Sequence, residues 1–105
     1  MTDYIVVYIV CSSDTEANVI GKLLVENRLA ACVNIFPAMQ SMYWWDGKIQ
    51  SGKEVALFAK TYVAKFEEIK KKVLEVHSYE CPCIIALPVK DGEENYLKWI
   101  GGEVQ

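Results

Sequence analysis

One stretch of this sequence decides the fold around it: Ser41-Met42-Tyr43-Trp44-Trp45-Asp46-Gly47-Lys48-Ile49. Asp46-Gly47 between apolar runs predicts a β-hairpin, because a type I′ turn needs a positive φ at both central residues. The arms are long, since one runs from Cys32 to Trp45 and the other from Ile49 to Ala59. Each arm exceeds the roughly five to six residues of an ordinary strand, so its tip is expected to project. We therefore expect this hairpin to reach a second copy of the chain.

Composition and charge limit the class of protein. The 105 residues suit one compact domain, and 52% hydrophobic with 24% charged residues is typical of a folded globule. A formal net charge of −3 argues against a nucleic-acid partner, which favours a basic surface. No apolar run approaches the roughly 18–20 residues of a membrane span, so no membrane partner is expected. The first four residues lack the positive segment of a signal peptide, which predicts a cytoplasmic protein.

The first half of the chain predicts a strand followed by a helix. Residues 4–11 are an unbroken β-prone run, typical of a central strand covered on both faces. Ser13 and Glu16 have the spacing of a capping box, which predicts that a helix begins there. Its apolar stripe ends near Asn27.

The hairpin arms carry two expected irregularities. The second strand opens at Leu29, and Pro37 within it cannot donate a ladder hydrogen bond, which implies an edge, a bulge or a bend. We expect the third strand over residues 55–60. Ser-Gly-Lys at residues 51–53 suggests a bulge ahead of it.

The second half repeats the pattern of strand and helix. We expect a helix from Thr61 to Val76, a connector over residues 77–82 and a strand over residues 83–89. A short last helix is expected from Glu93 to Ile100, stopped by Gly101-Gly102.

These elements predict an α+β fold of the ferredoxin-like βαββαβ type, with a long hairpin between the second and third strands and a short C-terminal helix. Right-handed crossovers place both long helices on one face of a four-stranded antiparallel sheet. The other face should then alternate with polar residues, yet the strands contain few. We expect this second face to be buried between subunits of a homo-oligomer.

Cysteine and histidine supply the candidate metal ligands, because thiolate and imidazole suit Cu(I) and Zn. His77, Cys81 and Cys83 fall within seven residues, and side chains two apart on a strand point to one face. Cys11 and Cys32 lie at strand ends and need not be near in sequence to meet in space. The alternative is that the histidine hydrogen-bonds near a helix end and the cysteines only pack.

Motifs for catalysis are missing from the sequence. There is no Gly-rich phosphate loop, no HExxH and no GxSxG. A cysteine–histidine nucleophile pair would need a third group to orient it, and none is evident. We therefore predict no catalytic residue, no enzyme activity and no obligatory cofactor.

The chain resembles the CutA divalent-cation tolerance family in five ordered motifs that cover nearly all of it. They are Leu29-Ala30-Ala31-Cys32-Val33-Asn34; Ser41-x-Tyr43-x-Trp45-x-Gly47-x-Ile49; Glu54 with Lys60-Thr61; His77-x-Tyr79-Glu80-x-Pro82-x-Ile84-Ile85-Ala86-Leu87-Pro88; and Tyr96-Leu97-x-Trp99-Ile100. On this resemblance, residues 1–105 are expected to form a single CutA-like domain.

The resemblance implies a non-enzymatic homotrimer, similar in architecture to the PII signalling proteins and linked to tolerance of copper and other divalent ions. A bound copper or another divalent metal ion is therefore an expected partner. The implied metal ligands are Cys11, Cys32 and His77. The residues implied at the trimer interface are Tyr43, Trp44 and Trp45.

Two departures from the family pattern affect the connector. Ser78 stands where the family usually has proline, which we expect to loosen the connector. Cys81 and Cys83 replace other residues common in the family. They are either additional metal ligands or neutral small-residue substitutions.

Two other functions remain open from the sequence. One is a PII-like signalling trimer that binds a small anionic effector between subunits, with Lys53, Lys60 and Thr61 as the residues of interest. The other is a trimer that scaffolds a protein partner, with only indirect effects on metals.

Overall fold

The fold is the predicted α+β, ferredoxin-like arrangement. A computed structural model describes residues 2–105. Its elements are β1 (Tyr4–Cys11), α1 (Asp14–Glu26), β2 (Cys32–Trp45), β3 (Lys48–Tyr62), a 3-10 turn (Val63–Lys65), α2 (Phe66–Val76), β4 (Ile84–Pro88) and α3 (Glu94–Glu103). The strands form one antiparallel sheet in the order β2-β3-β1-β4. Within residues 2–105, no helix is both long and apolar enough to cross a membrane.

The core lies between the sheet and the two long helices. Alternate residues of β1 point into it, and Ile5, Val7 and Ile9 are at most 5% exposed. Ile20 from α1 and Ile69 from α2 close the layer from the other side, both fully buried. Burying one such side chain stabilises the fold by about 1.5–3 kcal/mol, so this layer fixes the sheet's helix-covered face.

The start of α1 confirms half of the predicted capping box. The Ser13 hydroxyl accepts a hydrogen bond from the Glu16 N–H at 3.1 Å, as an N-cap should. The Glu16 carboxylate does not return to Ser13, because it accepts from the Ser12 N–H at 2.8 Å instead. The helix ends at its predicted position, with Asn27 as C-cap.

The hairpin turn is confirmed, and so is one of the two irregularities predicted for its arms. Asp46 and Gly47 have φ values of 54° and 73°, as a type I′ turn requires. Residues 51–53 pair in regular register with residues 40–42, so the predicted bulge there is wrong. The register shifts in β2 between Phe36 and Met39, which confirms the irregularity predicted at Pro37 from its missing N–H.

Both predicted boundaries around α2 and α3 need correction. Thr61 does not begin a helix: it is fully buried in β3, and its hydroxyl donates to the Leu29 carbonyl. The helix begins at Phe66, after the 3-10 turn. The last helix runs through both glycines to Glu103, and a Cβ on Gly101 would lie 2.5 Å from the Tyr62 hydroxyl.

The face opposite α1 and α2 is apolar, as predicted, and largely uncovered. The α3 helix covers only one end of this face, where it packs against the stacked rings of Tyr4 and Tyr62. The remainder presents Phe36, Ile85 and Leu87, which are 60%, 47% and 41% exposed. The projecting hairpin stretches the molecule to 44 × 25 × 23 Å.

A prediction tests the role of Gly101 in seating α3. A Cβ there would lie 2.5 and 2.8 Å from the hydroxyls of Tyr62 and Tyr4, so Gly101→Ala is expected to destabilise by about 1–3 kcal/mol. Gly102→Ala is the matched control, because a Cβ added there would have no atom within 4 Å and alanine favours a helix. Thermal unfolding measures both. Equal melting temperatures for the two variants would contradict the packing role.

Candidate functional site

Two of the three implied metal ligands come together in the structure. Cys11 ends β1, His77 follows α2, and Glu16 lies in the first turn of α1. Their ligand atoms lie within 4.8 Å of one another. Glu16 was missed as a member of this cluster because its spacing from Ser13 indicated only a helix cap.

Cys32 does not join this cluster within one chain. On the neighbouring strand β3, Cys11 pairs with Val55 whereas Cys32 pairs with Lys60. Five residues along a strand span about 16 Å. The two cysteines also lie on opposite faces of the sheet, and the Cys32 sulfur is 3.6 Å from the Tyr96 hydroxyl of α3. The implied set of three ligands is therefore divided between two places.

Both nitrogens of the buried His77 ring form hydrogen bonds. Its side chain is fully buried, and its Nε2 lies 2.7 Å from the Val10 carbonyl oxygen. The Tyr79 N–H donates to its Nδ1 at 3.0 Å. Because Nδ1 accepts, Nε2 carries the proton and donates to Val10. Both ring nitrogens are engaged, so a metal ion would displace one of these hydrogen bonds.

The Glu16 carboxylate joins the start of α1 to the connector after α2. It accepts from the Ser12 N–H and from the Ser78 N–H, each at 2.8 Å, and from the Ser12 hydroxyl at 3.0 Å. Burial alone would raise the pKa of Glu16, but the hydrogen bonds from Ser78 and Ser12 outweigh it and lower the pKa to about 2. A proline could not donate as the Ser78 N–H does, so this hydrogen bond opposes the loosening expected from the serine.

Cys11 completes the cluster as a protonated thiol. It is fully buried, and burial, followed by the charges of Glu16 and Glu54, raises its pKa to about 12. Metal ligation by cysteine requires the thiolate. The thiol is enclosed, both nitrogens of His77 are hydrogen-bonded and the Glu16 carboxylate accepts three hydrogen bonds, so a metal ion would have to displace some of these contacts. The arrangement fits a structural latch that joins β1, α1 and the connector.

A cleft of about 730 Å³ opens beside this latch, between the hairpin and the connector. Aromatic side chains form much of its wall: Tyr8, Tyr43, Trp45 and Tyr79. Sulfur-bearing residues also line it, including Met39, Cys81 and Cys83. A cavity of this size with a few polar groups is the usual form of a small-ligand site.

The charge of the cleft favours a cation. Glu54 and Glu80 line it, whereas no described lining residue is lysine, arginine or histidine. The Tyr79 hydroxyl donates to the Glu54 carboxylate at 2.6 Å, and burial with this bond raises the pKa of Tyr79. The tyrosine therefore holds the carboxylate in place on the cleft wall.

The residues considered for an anionic effector do not come together within one chain. Thr61 is buried, and Lys60 donates to the Tyr96 hydroxyl at 3.0 Å. Lys53 lies seven residues from Lys60 along β3, about 23 Å away. None of the three lines the cleft.

Comparison with known proteins identifies a single family. The family model described as CutA1 divalent ion tolerance protein matches residues 5–103. A divalent-cation tolerance protein CutA of Archaeoglobus fulgidus is 46% identical over 99 residues, covering 94% of this chain and 96% of that protein. A protein CutA homolog of Danio rerio is 39% identical over 94 residues, and the chain covers 63% of its length.

A solved structure supports the same relationship. The periplasmic divalent cation tolerance protein CutA of Archaeoglobus fulgidus superposes with a TM-score of 0.94 at 44% identity. The match covers 97% of this chain and 99% of that one.

The latch generates a prediction about acid stability. The pKa of Glu16 is lowered from 4.5 to about 2 in the folded protein. The ionised carboxylate therefore stabilises the fold fully above pH 5, and this stabilisation is lost as the pH falls toward 2. The contribution is on the order of 3 kcal/mol. Glu16→Gln replaces the charged acceptor of the Ser12 and Ser78 N–H groups with a neutral amide, so we expect a lower free energy of unfolding at pH 7. We also expect the free energy of unfolding to fall less steeply between pH 5 and pH 2 than in wild type.

Urea unfolding across this pH range measures the effect. The control is Glu26→Gln, because Glu26 is exposed and makes only a 3.7 Å surface pair with Lys22. Parallel stability curves for wild type and Glu16→Gln would show that Glu16 does not hold the latch.

Proposed function

The chain belongs to the CutA1 divalent ion tolerance family, and on this basis we propose that it is a non-enzymatic homotrimer of the cytoplasm that responds to divalent metal ions and binds copper or a similar ion. One observation supports the assembly above all. The sheet face opposite α1 and α2 is apolar and uncovered over most of its area.

The uncovered face has the composition of a subunit interface. Phe36, Ile85 and Leu87 are exposed beside the rings of Tyr8 and Phe58. Together they line a shallow apolar hollow. Monomers rarely expose a continuous apolar patch larger than a few hundred Å². A closed ring of copies would bury this face. The resemblance to the CutA family implies that the ring has three copies.

The hairpin offers the second contact. Tyr43, Trp44 and Trp45 are 46%, 72% and 50% exposed along its tip. β2 is an edge strand, so one side of its backbone is free to pair with another copy. Large aromatic anchors of this kind dominate the energy of many interfaces. We infer that the hairpin of one copy lies along the next.

The metal part of the proposal rests on family membership. The ligand set implied by the resemblance, Cys11, Cys32 and His77, remains a prediction. For it to operate, Cys32 would have to come from another copy and His77 would have to release a hydrogen bond. The acidic, sulfur-lined cleft is better suited to a cation, and its charge disfavours the anionic-effector alternative.

Trp45→Ala tests the assembly. Loss of an aromatic anchor at the tip is expected to cost about 2 kcal/mol or more at the interface, so dissociation becomes about thirtyfold easier. Native mass spectrometry over a dilution series measures the fraction of three-chain particles. Trp99→Ala is the matched control, because Trp99 is similarly exposed but lies on α3. A Trp45→Ala protein with the wild-type trimer fraction and melting temperature would contradict the interface role.

Copper uptake tests the metal part. The reduced protein is expected to bind copper in integer steps, up to one ion per chain, under native mass spectrometry with sub-stoichiometric copper. Mg²⁺ serves as the control, because a hard ion prefers oxygen ligands and is expected not to be retained. Particles that hold no copper at micromolar metal would contradict the metal part and leave the assembly proposal standing.

A further inference from the structure

We propose that Cys81 and Cys83 form a Cu(I) site in the cleft between the hairpin and the connector after α2. The inference rests on the proposed copper binding and names the residues that perform it. It differs from the ligand set implied by the resemblance.

The two cysteines share a cleft and are close in the chain. Both line this cleft, with only Pro82 between them in the sequence. The chain bends at Cys81 and enters β4 directly after Cys83. The Val10 N–H donates to the Cys83 carbonyl at 3.2 Å, so the second cysteine is anchored to β1.

The two thiols are available to an ion, unlike the thiol of Cys11. Cys81 is exposed and Cys83 is half-buried, and neither forms a disulfide. Within residues 2–105, no hydrogen bond engages either sulfur atom. Cys11, by contrast, is fully buried inside the latch. An ion could therefore enter the cleft without breaking the fold.

The surroundings select a soft cation. Glu54 and Glu80 give the cleft a negative field that draws cations in. Met39 lies on the opposite wall, where the Tyr8 hydroxyl is 3.5 Å from its sulfur. Thiolate and thioether ligands favour Cu(I) over hard divalent ions. The hairpin therefore contributes a soft side chain to the same cavity as the two cysteines.

Binding is an exchange of protons for metal. Each thiol releases its proton as its sulfur bonds to the ion, so one Cu(I) displaces two protons from the pair. The copper is supplied as Cu(I) and stays Cu(I), so no electron is transferred. The resulting bis-thiolate is expected to show a sulfur-to-copper charge-transfer absorption.

Anaerobic titration with Cu(I), in competition with the chelator bicinchoninate, tests the site. Wild type is expected to bind one Cu(I) per chain. Cys81→Ser and Cys83→Ser are each expected to weaken binding at least tenfold, and the double variant is expected to lose both the binding and the absorption. The control is Cys32→Ser, which is expected to keep the wild-type affinity, because Cys32 lies outside the cleft and its sulfur is 3.6 Å from the Tyr96 hydroxyl of α3. Melting temperature and subunit count are recorded for every variant.

The outcomes separate this inference from the proposed function. Wild-type affinity in Cys81→Ser/Cys83→Ser would overturn the site. If that affinity is lost in Cys32→Ser instead, the inference fails while copper binding stands. If wild type binds no Cu(I), this inference and the metal part both fail, and the assembly proposal is unaffected.

Discussion

Apolar side chains on both faces of the sheet are the constraint on which the rest of the structure depends. In β1, Ile9 points toward the helices and is fully buried, whereas its neighbour Tyr8 points to the other face. The two long helices cover the first face, and α3 covers only one end of the second face. The proposed assembly is inferred from this imbalance, because packing against another copy would remove the remaining apolar surface from water.

The latch determines where the cleft can form. Glu16 and His77 tie the connector to the end of β1 and the start of α1 through bonds to Ser12, Ser78 and Val10. The connector leaves the latch and enters β4 with Cys83 beside β1. The bulge in β2 and the hairpin beyond it form the opposite wall. The hydrogen-bonded latch therefore positions one wall of the neighbouring acidic, sulfur-lined cleft.

The helices, strands and turns that depend on local chemistry were predictable from the sequence. The predictions that failed concern residues whose conformation is set by contacts distant in the sequence. The turn at Asp46-Gly47 was predictable because φ is a local property. The irregularity at Pro37 was predictable as well, because a missing N–H is local chemistry, whereas the bulge suggested by Gly52 does not form, since residues 51–53 pair regularly with β2. Thr61 looked like a helix start, yet the Leu29 carbonyl satisfies its hydroxyl inside the sheet. The continuation of α3 through Gly101 depends on tyrosines distant in sequence. Long-range packing also decides the membership of the site. The resemblance implied Cys11 and His77, whereas the spacing of Glu16 from Ser13 indicated only a helix cap.

Sedimentation equilibrium of the reduced wild-type chain at micromolar concentration measures whether the uncovered sheet face is buried between copies. A trimer has three times the 11.9 kDa mass of one chain, about 36 kDa, and we predict that single value across the concentration range. A particle of 11.9 kDa would show that the apolar face remains in water and would contradict the account.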